Sequence, residues 1–582
     1  MSAKSTNLFN ARLHELLNQI YPDVDADILA GQIMDAFWPD DHHRRRRARA
    51  PSNNLWSERD AVLITYGNSI VDGSHKPLDL LEDFLTEHLS GVINGVHILP
   101  FFPFSSDDGF AVTDYRAVNP SLGDWSDIRR IASKFHLMSD LVLNHVSSQS
   151  HWFNDYRLGK PPYDRFFFEA DPALDLSEVV RPRTTPVLRK VETKQGEKHV
   201  WCTFSHDQID LNFENPEVLL EMLRIIRMHI DEGVRTLRLD AVAFVWKEPG
   251  TTCIHLPQTH AIVQLLRLLC DYAVETVVLL TETNVPSLEN LSYFGNRNEA
   301  HAVYNFPLPP LIVHAMQSGT ARYLHKWQSA MPPAQMGCAY LNFSASHDGI
   351  GMRPAEGLLP PEEKAQMIDT VRSVGGLVSM RALKDGQEEP YELNCSLFDA
   401  MRQTFKGPDA YHLERFFCSQ TIVMSLEGIP AFYIHSLLAT PSDHEAVERR
   451  GMNRAINRHR WDYPKLREKL ADPVSDQSTV VRELSRRLRI RGKQPGFHPN
   501  ATQFTLRLDD RLFGIWRQSI DRNQSIFAIH NVSDETVTVS PSAINLIEGD
   551  RWTDLLSGEE IVAGGPEIPF PPYQCRWITN RR

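Results

Sequence analysis

Eight short apolar runs recur along the first three quarters of the chain, at 62–66, 95–101, 137–145, 236–242, 277–283, 302–306, 338–343 and 428–434. Each is separated from the next by enough chain for a turn and, in most cases, a helix. Strands that alternate with helices pair in parallel, and eight is the number that closes a parallel sheet into a barrel. Helix signals fill the gaps: Asn215-Pro216 opens an amphipathic run over 216–230, and 259–273 has the same spacing. The expected fold is α/β, a (β/α)8 TIM barrel.

Two of these runs carry charge where a buried strand should carry none. In Thr236-Leu-Arg-Leu-Asp-Ala-Val242, Arg238 and Asp240 are two residues apart and so project to one side. Val277-Val-Leu-Leu-Thr-Glu-Thr283 ends in Glu282. Charges among apolar residues are costly unless paired or used, and barrel enzymes place their reacting groups where strands end. Two carboxylates on consecutive strand–helix units suggest a glycoside-cleaving pair. Asp140-Leu-Val-Leu-Asn144-His145 and Ser346-His347-Asp348 stand at two further strand ends. Alone, Asp140 with Asn144 reads as a tie between loops, and His145 as a satisfied core histidine.

The remaining chain divides around the barrel, which is expected over 61–145 and 206–500. Leu8, Leu13, Leu16, Leu17 and Ile20 recur at helical spacing, so 1–60 is an N-terminal helical extension followed by a linker to about Leu55. The basic run Arg44-Arg-Arg-Arg47 in that linker reads as solvated charge. Residues 146–205, after strand three, are too long for a loop and are expected to form a small inserted domain; 350–400, rich in glycine, reads as a long loop region. Past residue 500, alternating runs such as Leu512-Phe-Gly-Ile-Trp516 predict a C-terminal antiparallel β domain over 501–582.

Composition narrows the partners. A net charge of −13 argues against nucleic acid, and no stretch approaches the ~20 apolar residues of a membrane span. The first residues lack a signal-peptide core, and the 7 cysteines form no CxxC pair, so reduced thiols in the cytoplasm and no metal site are expected. A homodimer through the terminal elements stays open.

The four clusters, Asp140…Asn144-His145, Arg238-x-Asp240, Glu282 and His347-Asp348, resemble in kind and order those of the α-amylase clan, glycoside hydrolase family 13. Gly95-Val-His-Ile-Leu-Pro-Phe-Phe102, Asp107-Asp-Gly-Phe110, Trp201-Cys-Thr-Phe-Ser205, Gln208-Ile-Asp-Leu211, Phe306-Pro-Leu-Pro-Pro310 and Ile456-Asn-Arg-His459 narrow the resemblance to its sucrose phosphorylase branch. Within that branch, the leader, the block Trp246-Lys-Glu-Pro-Gly-Thr-Thr-Cys-Ile-His255 and Thr281-Glu-Thr-Asn-Val-Pro286 look most like bacterial glucosylglycerate phosphorylases.

The resemblance implies roles. Asp240 would be the nucleophile and Glu282 the general acid/base of a retaining double displacement. Asp348 would distort the sugar and stabilise the transition state. Arg238 would keep Asp240 ionised, His145 and His347 would hydrogen-bond glucose hydroxyls, and Asp107 with Arg458 would grip the far end of the ring. The expected reaction takes 2-O-α-D-glucosylglycerate and phosphate to α-D-glucose 1-phosphate and D-glycerate, with inorganic phosphate as co-substrate, no cofactor and no metal. Both acceptors are anions, and Lys198, Arg181, Arg183 and Arg381 are the candidate cations, each also readable as surface charge. Sucrose phosphorylases commonly carry a tyrosine four residues after the nucleophile. Here that position is Phe244, which puts a sucrose-type acceptor site in doubt. The alternatives are phosphorolysis of glucosylglycerol, sucrose or sucrose 6′-phosphate, hydrolysis of such glucosides, and a barrel without catalysis; the intact Asp240, Glu282, Asp348 and Arg238 speak against the last.

Overall fold

The computed structural model describes residues 3–40, 55–181, 185–273, 275–284, 287–382, 388–546 and 551–580. The eight apolar runs form its centre: β1 (Val62–Thr65), β2 (Gly95–Ile98), β3 (His136–Val142), β4 (Val234–Asp240), β5 (Val278–Thr281), β6 (Ala302–Tyr304), β7 (Ala339–Phe343) and β8 (Ile429–Tyr433). All pair in parallel, and β8 returns to β1 to close the barrel. Their side chains are buried almost throughout, as expected of strands covered by helices on the outside and packed side chains within.

Among the described residues the N-terminal extension holds two helices where the spacing predicted one. α1 (Ala3–Ile20) follows the leucine spacing, and α2 (Ala26–Phe37) starts at Asp25, whose carboxylate accepts from the backbone N–H groups of Asp27 and Ile28 at 2.9 and 3.1 Å. Both clamp onto the barrel's helices α3 (Pro216–Asp231) and α4 (Pro257–Asp271), with Phe9 edge-on to Tyr272 at 4.9 Å. Arg44–Arg47 lies outside the described residues.

After β3 the chain makes a short antiparallel pair, His145–Ser147 with Gln208–Asp210, and a hairpin, Leu188–Thr193 with Gly196–Trp201. The hairpin buries Trp201 against Phe168 and Cys253 in a small apolar cluster of its own.

The region after β7 is not a loop. Ile350–Gly351, Leu377–Ala382 and Glu388–Asn394 form a three-stranded antiparallel sheet, and Pro361–Ser373 is a helix. The glycines that suggested a loop serve close packing: a Cβ on Gly349 would stand 2.4 Å from Glu392 Oε1, and one on Gly376 would stand 2.4 Å from Val371 Cγ1.

At the C-terminal end, Thr502–Leu506, Leu512–Gln518, Ser525–Asn531, Cys575–Thr579, Trp552–Asp554 and Glu560–Ile561 make a six-stranded antiparallel sheet. One face joins the barrel's core, where Trp577 Nε1 donates to Ser425 Oγ at 2.9 Å; the other has its own core around Phe527, Trp552 and Phe570. Among the described residues no helix is long and apolar enough to cross a membrane.

Candidate active site

Parallel register sets Asp140 of β3 opposite Arg238 of β4, with Asp240 two residues further along the same face. Arg238 Nη1 donates to Asp140 Oδ1 at 2.5 Å and to Asp240 Oδ1 at 2.6 Å. The second oxygen of Asp140 accepts from His97 Nε2 on β2 at 2.7 Å, wholly buried. Asp140 therefore does not tie loops. It anchors the guanidinium, whose faces lie over the rings of Phe110 and Tyr304 at 5.6 Å each.

Glu282 follows β5, and Arg238 Nη2 stands 3.9 Å from its Oε1. Between the two carboxyls the chain turns through Ala241 at φ 52°, an unfavourable left-handed conformation for alanine. That turn aims the Ala241 N–H at Glu282 Oε2, 3.5 Å away. Burial pushes both carboxyls above their ordinary range, and the charge on Glu282 pushes Asp240 further. The pair thus holds a proton where isolated carboxyls would hold none. Arg238 bonds Asp240 directly and stands farther from Glu282, so its attraction favours the ionised form of Asp240 over that of Glu282.

Asp348, just beyond β7, receives Arg454 Nη1 at 2.6 Å, and Arg454 Nη2 also reaches Glu392 at 2.6 Å. Burial opposes its charge, but Arg454, His347 and Arg458 outweigh that and hold the carboxyl well below the usual range. His347 stacks on Phe110 at 5.1 Å, and burial drives its imidazole down to about 3; burial likewise takes His145 to about 4. Both are neutral near pH 7, and a neutral imidazole can both donate and accept a hydrogen bond. Asp240, Glu282, Asp348, Arg238, His145, His347 and Asp107 share one cavity of about 200 Å³.

Three comparisons bear on this geometry. The α-amylase catalytic domain model matches residues 87–349. The glucosylglycerate phosphorylase of Spirochaeta thermophila is 42% identical over 98% of this chain and 99% of its own. That of Allomeiothermus silvanus is 45% identical over 90% of this chain and 92% of its own. The chain belongs to the α-amylase family, in its sucrose phosphorylase branch. The crystal structure of sucrose 6F-phosphate phosphorylase from Thermoanaerobacter thermosaccharolyticum has the same fold, with a TM-score of 0.72 at 24% identity over 89% of this chain and 98% of that one.

Other residues expected from the branch's pattern sit less simply. Arg458 pairs with Asp108 rather than Asp107, while Asp107 Oδ2 accepts from Gln208 Nε2 at 3.2 Å. Arg458 does not line the cavity, although its Nη2 approaches Asp348 at 3.6 Å. Of the four candidate acceptor cations, Arg181 and Arg381 line the cavity, Lys198 does not, and Arg183 lies outside the described residues. Lys198 is paired with Glu169 at 2.8 Å, and Arg381 is paired with Glu389 and, at 2.8 Å, with Glu356. Phe244 lines the cavity edge-on to Phe204, 5.6 Å away, and offers no hydroxyl.

Sequence reasoning missed Arg454, His97 and Lys247. A signal for Arg454 was present, since Asn453-Arg454 repeats four residues later as Asn457-Arg458. Lys247 is buried, its ammonium donating to Asn144 Oδ1 at 2.6 Å and meeting Asp210 Oδ2 at 2.8 Å. Asn144 thus serves an internal cation.

Proposed function

We propose that this chain is a cytoplasmic retaining glucoside phosphorylase that converts 2-O-α-D-glucosylglycerate and inorganic phosphate into α-D-glucose 1-phosphate and D-glycerate. The unequal hold of Arg238 on two adjoining carboxyls carries the reading, because it supports an ionised Asp240 beside a protonated Glu282. The near full-length likeness to glucosylglycerate phosphorylases supports glycerate as the acceptor.

In the first displacement Asp240 attacks C1 of the glucosyl unit, the bond to the glycerate oxygen breaks, and Glu282 gives that oxygen its proton. In the second, a phosphate oxygen attacks C1, the ester to Asp240 breaks, and Glu282 takes the phosphate proton back. Two inversions return the α-configuration. Positive charge that develops on the ring in each transition state faces the carboxylate of Asp348, which Arg454 keeps ionised and oriented. The chemistry uses only these side chains, with phosphate as co-substrate.

Release of glucose 1-phosphate from glucosylglycerate, with and without phosphate and beside sucrose and glucosylglycerol, tests the proposal. Phosphate-dependent release from glucosylglycerate well above the other two is the expected result. A preference for another glucoside would replace the acceptor, and release of free glucose irrespective of phosphate would make the protein a hydrolase.

A further inference from the structure

Five arginines line the catalytic cavity: Arg181, Arg238, Arg353, Arg381 and Arg454. Four of their guanidiniums already donate to protein oxygens. Arg238 holds Asp140 and Asp240, Arg454 holds Asp348 and Glu392, and Arg381 holds Glu356 and Glu389. Arg181 donates to the carbonyls of Thr203 and Cys202 at 3.2 and 3.3 Å. Among the described residues, Arg353 gives no hydrogen bond and forms no ion pair. It is half-buried at the start of the single 3-10 turn Arg353–Ala355, two residues past the short strand Ile350–Gly351.

A second orphan lines the same cavity. Asn284 Oδ1 is buried and has no hydrogen-bond partner among the described residues. Its amide lies against the chain that leads to Arg353, since a Cβ on Gly351 would stand 3.2 Å from Asn284 Nδ2. Asn284 is two residues past Glu282, and Arg353 is five past Asp348, so both belong to the strand extensions that carry the reacting carboxyls. A buried amide oxygen without a partner is expensive to keep unless a ligand completes it, and beside it the half-buried Arg353 leaves its donors unclaimed in the same cavity.

We infer that Arg353, with Asn284 beside it, is the acceptor-reading element of the site: its guanidinium takes the carboxylate of glycerate in the first displacement and the incoming phosphate in the second. This rests on the function proposed above. Glycerate presents a carboxylate and a hydroxymethyl group on the carbon that bears the glycosidic oxygen. A guanidinium fits the first by a paired hydrogen bond, and an amide oxygen accepts from the hydroxyl of the second. Glucosylglycerol has a hydroxymethyl group in place of the carboxylate, so Arg353 would also set the preference between the two glucosides.

The test compares wild type with Arg353→Gln and Arg353→Lys in two assays. In the first, the ratio of kcat/KM for glucosylglycerate to that for glucosylglycerol is expected to fall about 100-fold in Arg353→Gln, with Arg353→Lys in between. In the second, α-glucosyl fluoride supplies the glucosyl unit and the concentration of phosphate needed to divert it into glucose 1-phosphate is read; it should rise at least about tenfold in Arg353→Gln. An unchanged ratio and an unchanged phosphate requirement would overturn the inference, as would an equal loss on charged and neutral glucosides with normal phosphate dependence. Should wild type leave glucosylglycerate untouched, the proposed function fails, and the fluoride assay still decides whether Arg353 binds the phosphate anion.

Discussion

Arg238 lies 2.6 Å from Asp240 and 3.9 Å from Glu282, and this difference favours the charge on Asp240. Glycosylation needs one proton on the pair. As pH falls a second proton quenches Asp240, and as pH rises through the raised pKa of Glu282 the acid is lost. A bell-shaped kcat/KM for glucosylglycerate is expected, with its basic limb above the ordinary glutamate range. Glu282→Gln should lower that rate by about 10²–10⁴-fold. The same variant, given α-glucosyl fluoride, should lose the basic limb of that step and accumulate a glucosyl ester on Asp240 visible by mass spectrometry.

Arg454 orients Asp348 through a 2.6 Å ion pair and is itself fixed by Glu392. Arg454→Met should lower kcat by about 10–100-fold, since a misplaced stabilising charge weakens the transition state more than the ground state. Steady-state kinetics should show the loss in kcat with a smaller change in KM; a pure KM effect would place Arg454 in ground-state binding alone.

Removing the ammonium of Lys247 leaves the fully buried carboxyl of Asp210 without its cation, with only hydrogen bonds from Asn144 and Thr203. Lys247→Met is expected to cost about 3–5 kcal/mol in urea unfolding, and Lys247→Met with Asp210→Asn appreciably less. Because the Lys247 ammonium already occupies the space between Asn144 and Asp210, EDTA should leave activity and Tm unaltered.

His145, His229, His347, His435 and His530 are buried, and burial drives each imidazole down to between about 3 and about 4. The unfolded chain protonates these groups near pH 6.5, whereas the native protein does not until the pH is far lower. Below pH 6.5 the unfolded state binds more protons, so stability falls with pH by about 1.4 kcal/mol per unit for each such histidine. The raised carboxyls Asp240, Glu282 and Glu427 act in the opposite sense and offset part of this. Urea midpoints measured from pH 7 to pH 4.5 should decline; a flat profile would mean that these imidazoles are protonated in the native state.

The barrel was legible because a buried parallel strand must be apolar, and eight such runs leave few other architectures. The six-stranded C-terminal sheet was legible for a similar reason, in its alternating runs. α2 was not read, although the Asp25 cap and the helical spacing of Leu29, Ile33 and Phe37 stand in the sequence; its packing against α3 is what only the structure shows. Nor was the sheet after β7, because glycines chosen for close approach to Glu392 and Val371 look like loop glycines in a one-dimensional pattern.

At the site, the sequence by itself determined which carboxyls stand at strand ends, since Asp240, Glu282 and Asp348 each follow an apolar run that fixes their place. Only the tertiary structure decided how they are held. Arg238 comes to Asp140 across a strand pair, Arg454 reaches Asp348 from 106 residues away, and Arg458 turns to Asp108 rather than Asp107. Charge–charge energies depend on distances of a few ångströms and on exclusion of water, and neither is a property of residue order. For the same reason, Lys198 and Arg353 are alike as isolated cations in the sequence. In the folded chain one is neutralised by Glu169 outside the cavity, and the other lines the cavity with its charge uncompensated among the described residues.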